Sequence, residues 1–243
     1  MSTPNFRFKQ FTVWHDKCAM KVGTDGVLLG AWSPTGTRIL DVGTGSGLIA
    51  LMLAQRCPDA RIDAIDIDEA AVEQARENFE HSVFSHQLSA FRSSLQNWQN
   101  PNSQFSILKC YDIIVANPPY FQNSLKNPDK GRELARHTDS LSYEELISHS
   151  ARLLAGNGRL ALILPAESET GIRQIAATHG LRLAHVTRVY SKESKPARRV
   201  LMAFEMSKSQ NLEIPPVEDS LILENETGGR SAAYSELCKE FYL

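Results

Sequence analysis

A glycine-rich turn between a strand and a helix constrains the fold of this chain more than any other feature. The turn begins at Asp41 and contains Gly43, Gly45 and Gly47. The apolar residues before it predict a strand, and the apolar run 48–54 after it predicts a helix. Glycine lets the backbone turn tightly and come close to a ligand. The pattern therefore predicts the first strand, turn and helix of a nucleotide-binding α/β unit.

The spacing of the three glycines argues against two common kinds of nucleotide site. A dinucleotide fingerprint reads G-x-G-x-x-G, but Leu48 stands where its third glycine would be. A phosphate-binding P-loop ends in Lys followed by Ser or Thr, and no such pair follows this turn. The spacing therefore disfavours a nicotinamide oxidoreductase and a P-loop enzyme alike.

A carboxylate follows the second predicted strand, residues 61–65. At the end of such a strand, Asp66 can accept hydrogen bonds from both ribose hydroxyls of a bound nucleoside. Asp68 suits the N-cap of the next helix, so we expect it to cap that helix rather than to bind a ligand. Asp66 could also be a solvated capping residue, but we favour the ligand role for it.

A second motif, Asn117-Pro118-Pro119-Tyr120, follows the apolar run 111–116, which predicts a buried strand. Two prolines cannot continue a central strand, so the chain must leave the sheet in a stiff, extended loop. The loop holds a side-chain amide, a proline carbonyl and an aromatic ring close together. This set suits a planar substrate with an –NH2 group, which needs two acceptors and a ring to stack on. A proline-rich turn with a buried tyrosine is the alternative.

Together, the glycine turn, Asp66 and the Asn-Pro-Pro-Tyr loop resemble the class I S-adenosylmethionine-dependent methyltransferases that methylate exocyclic or amide nitrogens. The start of the chain sharpens the resemblance. Residues 6–11, 15–26 and 27–32, with a final Phe-Tyr-Leu at 241–243, are similar to the bacterial tRNA1(Val) adenine N6-methyltransferase family. The resemblance covers almost the whole chain.

The resemblance implies one methyltransferase domain over residues 1–243, with a lead-in over 1–35 and a short helical tail over 225–243. The implied fold class is α/β, the class I methyltransferase or Rossmann-like fold. Its sheet is mostly parallel and seven-stranded, with the last strand antiparallel and helices on both faces.

The alternation of predicted strands and helices agrees with a mostly parallel sheet. A capping box at Ser142 and Glu145 predicts the start of one of these helices. The strand predicted at 200–206 follows its predecessor too closely for a crossover, so it should pair antiparallel. Residues 207–219 are expected to form a surface excursion, and residues 231–241 a terminal helix.

The resemblance also implies which residues hold the cofactor, S-adenosyl-L-methionine. It places the segment around Lys21, Thr24 and Asp25 near the methionine end of the cofactor, although a plain helix cap is the alternative for Thr24. Relatives often carry an Asp after the third strand, where this chain has Ser93 and Ser94, and a turn residue is the alternative there. The expected cofactor-binding residues are Lys21, Thr24, Asp25, Asp41, Gly43, Gly45, Gly47, Asp66, Ile67, Ser94 and Asn117.

An adenine N6 amine matches the chemistry of the Asn-Pro-Pro-Tyr loop. Its lone pair is delocalised into the ring, so the amine is a poor nucleophile. Hydrogen bonds to the Asn117 side-chain oxygen and the Pro118 carbonyl would favour positive charge on the nitrogen and aim its lone pair at the methyl group. Tyr120 would stack on the base, which makes Asn117, Pro118 and Tyr120 the expected catalytic residues. No general base is required, because the methylated amine is acidic and loses its proton afterward.

A net charge of −2 is not typical of a nucleic-acid binder, but basic residues cluster in three places. Such clusters can contact phosphates, and Arg7 and Lys9 alternate with phenylalanines that can stack on bases. The expected substrate-binding residues are Arg7, Lys9, Phe121, Lys126, Lys130, Arg132, Arg136, Lys192, Lys195, Arg198 and Arg199. The expected partner is tRNA, contacted at its anticodon stem-loop, with no membrane and no obligate protein partner.

Three other functions use parts of the same pattern. A protein glutamine-amide methyltransferase would share the loop but would not need three basic clusters. A DNA adenine methyltransferase usually carries a target-recognition domain, for which this chain has no room. A non-catalytic module that binds S-adenosylmethionine and RNA would not need Asn117.

The composition predicts a cytoplasmic enzyme without a metal. Four cysteines are scattered without a C-x-x-C pair, so we expect reduced packing residues rather than metal ligands or disulfides. The chain has no apolar stretch of about 18 residues and no secretory signal at its start.

Overall fold

The computed structural model describes residues 4–18, 20–99, 110–118, 141–207 and 214–243. Within these ranges the chain forms a small hairpin, a large mostly parallel sheet and α-helices on both faces of that sheet, which confirms the predicted α/β fold class. The strands are β1 (Asn5–Arg7), β2 (Thr12–Trp14), β3 (Arg38–Val42), β4 (Arg61–Asp66), β5 (Leu88–Arg92), β6 (Tyr111–Ala116), β7 (Leu154–Pro165), β8 (Leu181–Tyr190), β9 (Ala197–Met206) and β10 (Val217–Ile222). The helices are α1 (Thr24–Trp32), α2 (Leu48–Arg56), α3 (Glu69–Glu80), α4 (Tyr143–Leu153), α5 (Glu169–Thr178) and α6 (Ala232–Leu237).

The strands of the large sheet lie in the order β10-β8-β9-β7-β6-β3-β4-β5. β9 is antiparallel to both of its neighbours, and the other pairs in the sheet are parallel. The connection from Tyr190 to Ala197 is too short for the crossover that a parallel pair needs, so the chain reverses direction there. The predicted antiparallel strand at 200–206 is confirmed.

The end of the chain differs from the prediction in two places. The surface excursion expected over 207–219 is wrong in its last residues, because β10 begins at Val217 and adds a strand to the predicted seven. The charged residues of β10 are typical of a loop, which is why the strand was not predicted. In the structure these residues pair with the neighbouring strand β8, where the Glu218 carboxylate accepts from Arg188 at 3.0 Å. Cross-strand contacts of this kind override intrinsic propensity. The terminal helix is also shorter than expected and spans Ala232–Leu237.

Apolar side chains cover both faces of the sheet. Neighbouring residues of a strand point to opposite faces, so Ile39 belongs to one buried cluster and Leu40 to the other. Ile113 and Ile114 divide in the same way. α1, α2 and α3 contribute to the first cluster, and α4 and α5 to the second. Burial on both faces explains why β3 and β6 are almost continuous apolar runs.

The lead-in and the tail pack against each other on the face covered by α1, α2 and α3. The Lys9 amide donates to the Phe241 carbonyl at 2.9 Å, and the rings of Phe8 and Tyr242 stack with their centroids 6.0 Å apart. Phe8 and Phe241 belong to the same buried cluster as the three helices. The hairpin formed by β1 and β2 is therefore part of the main core.

The carboxyl ends of β3, β4 and β6 meet at one edge of the sheet. Val42 pairs with Ile65 on one side and with Ala116 on the other. The glycine turn, the second-strand acid and Asn117 begin directly beyond these residues. The topology thus brings the predicted nucleotide and catalytic motifs together, at the edge where open α/β sheets bind their ligands.

The four cysteines are free thiols, and Cys18, Cys57 and Cys238 are buried, as predicted for packing residues. None of the helices in the described part of the chain has the length and apolar character that crossing a bilayer requires.

Candidate functional site

The glycine turn has the backbone conformation that its three glycines predict. Gly43, Gly45 and Gly47 have φ angles of 71°, 55° and 81°, in the left-handed region that side chains disfavour. A β-carbon at Gly43 or Gly45 would meet nothing within 4 Å, whereas one at Gly47 would lie 2.5 Å from the Phe79 ring. The first two glycines therefore border open space, and the third allows α2 and α3 to pack closely.

Asp66 holds this turn in place. Its Oδ2 accepts a hydrogen bond from the Gly45 amide at 2.9 Å, and its Oδ1 accepts one from the Asp68 amide at 3.0 Å. A carboxylate oxygen can accept more than one hydrogen bond, so Asp66 keeps capacity for a ligand. Asp68 caps α3 by accepting from the Ala70 amide at 3.0 Å, which confirms the capping role predicted for it. Ile67, between the two acids, is 50% exposed and offers an apolar surface beside the turn.

Asp41 lies beneath the turn rather than in the open space. It is fully buried, and its Oδ2 accepts from the Thr44 hydroxyl at 2.7 Å. Burial raises the pKa of the Asp41 carboxyl to about 7; the Thr44 hydroxyl opposes this shift, and the nearby Asp66 charge adds to it. Its Oδ1 has no hydrogen-bond partner among the described residues.

Asn117 follows β6 at the same sheet edge. Its side chain is half-buried and Pro118 is buried, so the first half of the Asn-Pro-Pro-Tyr loop is held against the core. Because Ala116 pairs with Val42, Asn117 lies beside the start of the glycine turn. Pro119, Tyr120 and Phe121 lie outside the described residues.

A buried amide that the sequence reasoning missed connects the lead-in to the glycine turn. Asn78 of α3 is fully buried, and its side chain makes three hydrogen bonds. Its Oδ1 accepts from the Trp14 amide at 2.9 Å, and its Nδ2 donates to the Trp14 carbonyl and the Ser46 carbonyl, both at 2.8 Å. Asn78 thereby fixes one side of the turn that carries Gly45 and Gly47.

Gln74, one turn earlier on α3, holds the next part of the lead-in. It is almost fully buried, and its Oε1 accepts from the Lys17 amide at 2.9 Å. A signal for both amides exists in the sequence, because they fall on the apolar stripe of Ala71, Ala75 and Phe79. A polar residue on such a stripe requires a buried hydrogen-bond partner.

The segment before α1 supplies the predicted residues Lys21, Thr24 and Asp25. Lys21 and Thr24 are exposed. Gly23 is the N-cap of α1, so the cap role considered for Thr24 is wrong. Asp25 lies in the first turn of the helix, where a carboxylate is stabilised by the helix dipole.

Asp25 also forms an ion pair with Arg199, a residue that we expected to contact the RNA substrate. Its Oδ2 accepts from Nε of Arg199 at 2.8 Å. Arg199 pairs with Pro165 at the carboxyl end of β7, so this contact lies at the same edge as the glycine turn. A cofactor-binding candidate and a substrate-binding candidate therefore contact each other, and the charge of Arg199 is already compensated.

The remaining basic candidates fall into different environments. Lys192 lies 3.4 Å from the Glu224 carboxylate, whereas Lys195 and Arg198 form no ion pair with the described residues. Arg7 and Lys9 are exposed on the hairpin, in a groove next to His81 at the other end of α3. Lys126, Lys130, Arg132 and Arg136 lie outside the described residues.

The serines after β5 are bound to their own segment. The Ser94 Oγ accepts from the Asn97 amide at 3.3 Å, and the Ser93 hydroxyl donates to the Ser94 carbonyl at 3.0 Å. These local bonds favour the turn role that was the alternative for Ser94. The Ser93 amide donates to the Asp66 carbonyl at 2.9 Å, which keeps the pair beside the site.

Comparison with known proteins defines the class of this fold and site. The family model described as "Methyltransferase small domain" matches residues 20–179, more than half of the chain. A solved structure from Agrobacterium tumefaciens, titled a predicted O-methyltransferase, superposes with a TM-score of 0.67 at 17% identity, covering 89% of this chain and 96% of that one. At this identity the likeness shows the fold alone. The chain is a class I methyltransferase that depends on S-adenosyl-L-methionine.

Relatives with higher sequence identity show which methyltransferase family the chain belongs to. A Bacteroides fragilis protein is 45% identical over 245 residues, which cover 100% of this chain and 99% of the relative. A Parabacteroides distasonis protein is 47% identical with the same coverage. Both are named tRNA1(Val) (adenine(37)-N6)-methyltransferase, and this chain belongs to their family. The resemblance predicted from the lead-in and the Asn-Pro-Pro-Tyr loop is confirmed.

Proposed function

We propose that this protein transfers a methyl group from S-adenosyl-L-methionine to the N6 amine of adenine 37 in tRNA1(Val). The observation that carries the proposal is the register of β3 and β6, in which Val42 pairs with Ala116. This pairing joins the glycine turn to Asn117 at one sheet edge, in a chain whose full-length relatives carry that name.

The open side of the glycine turn fits the nucleoside part of the cofactor. The space beyond Gly43 and Gly45 admits a ligand against the backbone, and Asp66 has lone pairs for the ribose hydroxyls. Ile67 offers an apolar surface for the base. Lys21, Thr24, Asp25 and Ser94 complete the proposed cofactor site, and Asp41 and Gly47 support the turn. When bound, S-adenosyl-L-methionine supplies an electrophilic methyl group on a sulfonium sulfur.

The Asn117 amide oxygen and the Pro118 carbonyl accept the two hydrogens of the adenine amine in this proposal. These bonds strengthen as positive charge grows on the nitrogen, so they stabilise the transition state more than the ground state. They also fix the direction of the amine lone pair. The proton leaves after methylation, when the amine has become acidic. Tyr120 and Phe121 are proposed to stack on the base.

The proposed substrate region is the anticodon stem-loop, where a base beside the anticodon is unpaired. Unpaired RNA bases can be splayed out and stacked on aromatic rings at little cost. Lys195, Arg198 and the basic residues of 126–136 are proposed to contact phosphates around the site. Arg199 and Lys192 are proposed to contact RNA phosphates as well, once a phosphate replaces the carboxylate that each of them binds in the free protein. A tRNA substrate also places the protein in the cytoplasm, and no obligate protein partner is needed.

The first prediction tests the catalytic role of Asn117. Asn117→Ala removes an acceptor used mainly in the transition state, so turnover should fall about 100-fold or more, while the Kd for the cofactor stays nearly unchanged. The measurement is methyl transfer to a tRNA1(Val) transcript and to a matched transcript that carries guanine at position 37. The guanine transcript should accept no methyl group from the wild-type protein.

Two outcomes would contradict the proposal. Equal methylation of both transcripts would mean that position 37 is not the target. Wild-type turnover by the Asn117→Ala variant would mean that the loop is structural. A glutamine-containing protein substrate, assayed in parallel, detects the amide methyltransferase alternative.

A further inference from the structure

A polar groove lies between the hairpin and the carboxyl end of α3, and we call it the hairpin groove. Its volume is about 460 Å³. α3 runs from its Asp68 cap to its last cap, His81, and His81 lines the groove. None of the residues that line the groove is a candidate active-site residue, although Asn78 joins the Trp14 carbonyl to the Ser46 carbonyl of the glycine turn. The groove is lined by Arg7, Phe8, Lys9, Gln10, Phe11, Thr12, Trp14 and His81, none of which carries a carboxylate.

The hairpin groove presents donors that the described part of the protein leaves without partners. The Arg7 guanidinium, the Gln10 side chain and the Trp14 indole N–H make no hydrogen bond or ion pair with described residues. The Lys9 ammonium donates to the Lys239 carbonyl at 2.5 Å, which leaves its positive charge without a carboxylate. Each of these four groups can donate a hydrogen bond. Together they are complementary to an anion with several oxygen acceptors.

Some cations elsewhere on the surface lie against carboxylates. Arg92 is 2.7 Å from Glu69, and Lys192 is 3.4 Å from Glu224. The groove instead brings two cations, Arg7 and Lys9, together in a lining that contains no carboxylate, in a chain whose net charge is −2. Trp14 is also 40% exposed, so the groove combines cations with an accessible aromatic ring. Basic residues interleaved with exposed aromatics are typical of surfaces that bind nucleic-acid strands.

We propose that the hairpin groove binds the sugar–phosphate backbone of the RNA substrate, as a second contact outside the candidate active site. This inference rests on the proposed function, RNA methylation. Arg7 and Lys9 neutralise phosphates, and Gln10 and Thr12 donate to phosphate or ribose oxygens. Trp14 stacks on an unpaired base or packs against a ribose. The target base enters the active site while the adjoining backbone lies in the groove.

The test compares two double variants that remove the same charge. Arg7→Ala with Lys9→Ala empties the groove of its cations. Arg61→Ala with Arg152→Ala is the control, because both arginines are exposed, make no ion pair with described residues and lie outside the groove. Binding of labelled intact tRNA is measured by fluorescence anisotropy at several salt concentrations. The groove variant should bind about tenfold more weakly, and its slope of log affinity against log salt should flatten by at least about one unit.

A charge-preserving variant and a kinetic comparison complete the experiment. Arg7→Lys with Lys9→Arg keeps both charges and should bind tRNA within about twofold of wild type, since the phosphate term depends on charge. Methylation of intact tRNA should have the same kcat/KM in the Arg61→Ala, Arg152→Ala control and in the wild-type protein. Methylation of intact tRNA should show a lower kcat/KM in the groove variant alone.

The outcomes separate this inference from the proposed function. If the groove variant matches wild type in both tRNA affinity and salt slope, the groove does not bind RNA and the inference is overturned. Equal losses of affinity in the groove variant and in the control variant would also overturn it, because the effect would then follow net charge rather than the groove. A wild-type protein that does not methylate intact tRNA1(Val) instead refutes the proposed function itself.

Discussion

At the residue scale, Asp66 both holds the glycine turn and faces the open space, whereas the nearby Asp68 only caps a helix. It binds the Gly45 amide through one oxygen and the Asp68 amide through the other, at the edge of the open space. Asp68 accepts from Ala70 and serves α3. Two carboxylates two positions apart thus offer a matched comparison between a ligand role and a capping role.

Asp66→Ala should weaken S-adenosyl-L-methionine binding by about 1–3 kcal/mol, because it removes charge-assisted acceptors for the ribose hydroxyls. Asp68→Ala should leave the Kd for the cofactor unchanged and lower the free energy of unfolding by about 1 kcal/mol, the usual effect of losing an N-cap. Titration calorimetry and urea denaturation of both variants check these values. The assignment fails if a folded Asp66→Ala protein binds the cofactor as tightly as wild type.

Asp41 gives a prediction about pH. Its pKa is raised by burial from 3.8 to about 7, so ionising it opposes folding. The raised value means that the folded state holds the proton more tightly than the unfolded state. The resulting destabilisation is absent below about pH 4, grows as the pH rises towards 7 and is constant above that. Its upper bound is about 4 kcal/mol, at 1.36 kcal/mol per pKa unit.

Asp41→Asn keeps an acceptor for the Thr44 hydroxyl but cannot ionise. The variant should therefore gain stability relative to wild type as the pH rises from 4 to 7, by up to about 4 kcal/mol, with no further gain above pH 7. Urea denaturation at several pH values measures the difference. A difference that stays constant across this range would contradict a raised pKa for Asp41.

At the scale of elements, α3 connects three parts of the molecule that are distant in sequence. Asn78 joins it to Trp14 of the hairpin and to Ser46 of the glycine turn. Gln74 joins it to Lys17. The turn is thus held on one side by Asp66 and on the other by Asn78. A turn fixed before the ligand arrives loses less conformational entropy on binding.

Asn78→Ala should weaken cofactor binding about fivefold or more, because the freed turn must be ordered on binding. It should also lower the free energy of unfolding by about 1–3 kcal/mol, since buried backbone groups lose their partner. Tyr111→Phe is the control: it breaks the buried bonds of Tyr111 to Asp63, at 2.7 Å, and to Trp98, at 3.0 Å. That variant should lose stability with an unchanged cofactor Kd.

Calorimetry and denaturation of the two proteins distinguish positioning from a general structural role. If Asn78→Ala and Tyr111→Phe both lower stability and both leave cofactor affinity intact, Asn78 has no special part in holding the turn. A loss of affinity confined to Asn78→Ala supports the positioning role.

At the scale of the whole molecule, ion pairs decide which charges are available to a partner. Arg188 binds Glu169 at 2.7 Å and Glu218 at 3.0 Å, which joins β8, α5 and the edge strand β10. Arg199 binds Asp25 at 2.8 Å. These arginines serve the fold in the described structure, whereas Arg7 and Lys9 stay uncompensated. A net charge near zero therefore hides a local basic surface.

The sequence by itself determined the features that depend on local patterns. The strand, glycine turn and helix at 38–56 follow from apolar runs around residues that tolerate positive φ. The predicted capping box is present at the start of α4. The Ser142 hydroxyl accepts from the Glu145 amide at 3.2 Å, and the Glu145 carboxylate accepts from the Ser142 amide at 2.9 Å. The direction of β9 followed from the length of one connection.

Only the tertiary structure decided the features that join distant segments. The role of Asn78 depends on Trp14 and Ser46, which are far from it in the chain. β10 is a strand because Arg188 and its neighbours on β8 compensate its charges. The pairing of Asp25 with Arg199, likewise, decides whether a basic residue is free for phosphate. Local propensity carries no information about such partners, because hydrogen bonds and ion pairs depend on which groups the folded chain brings within contact distance.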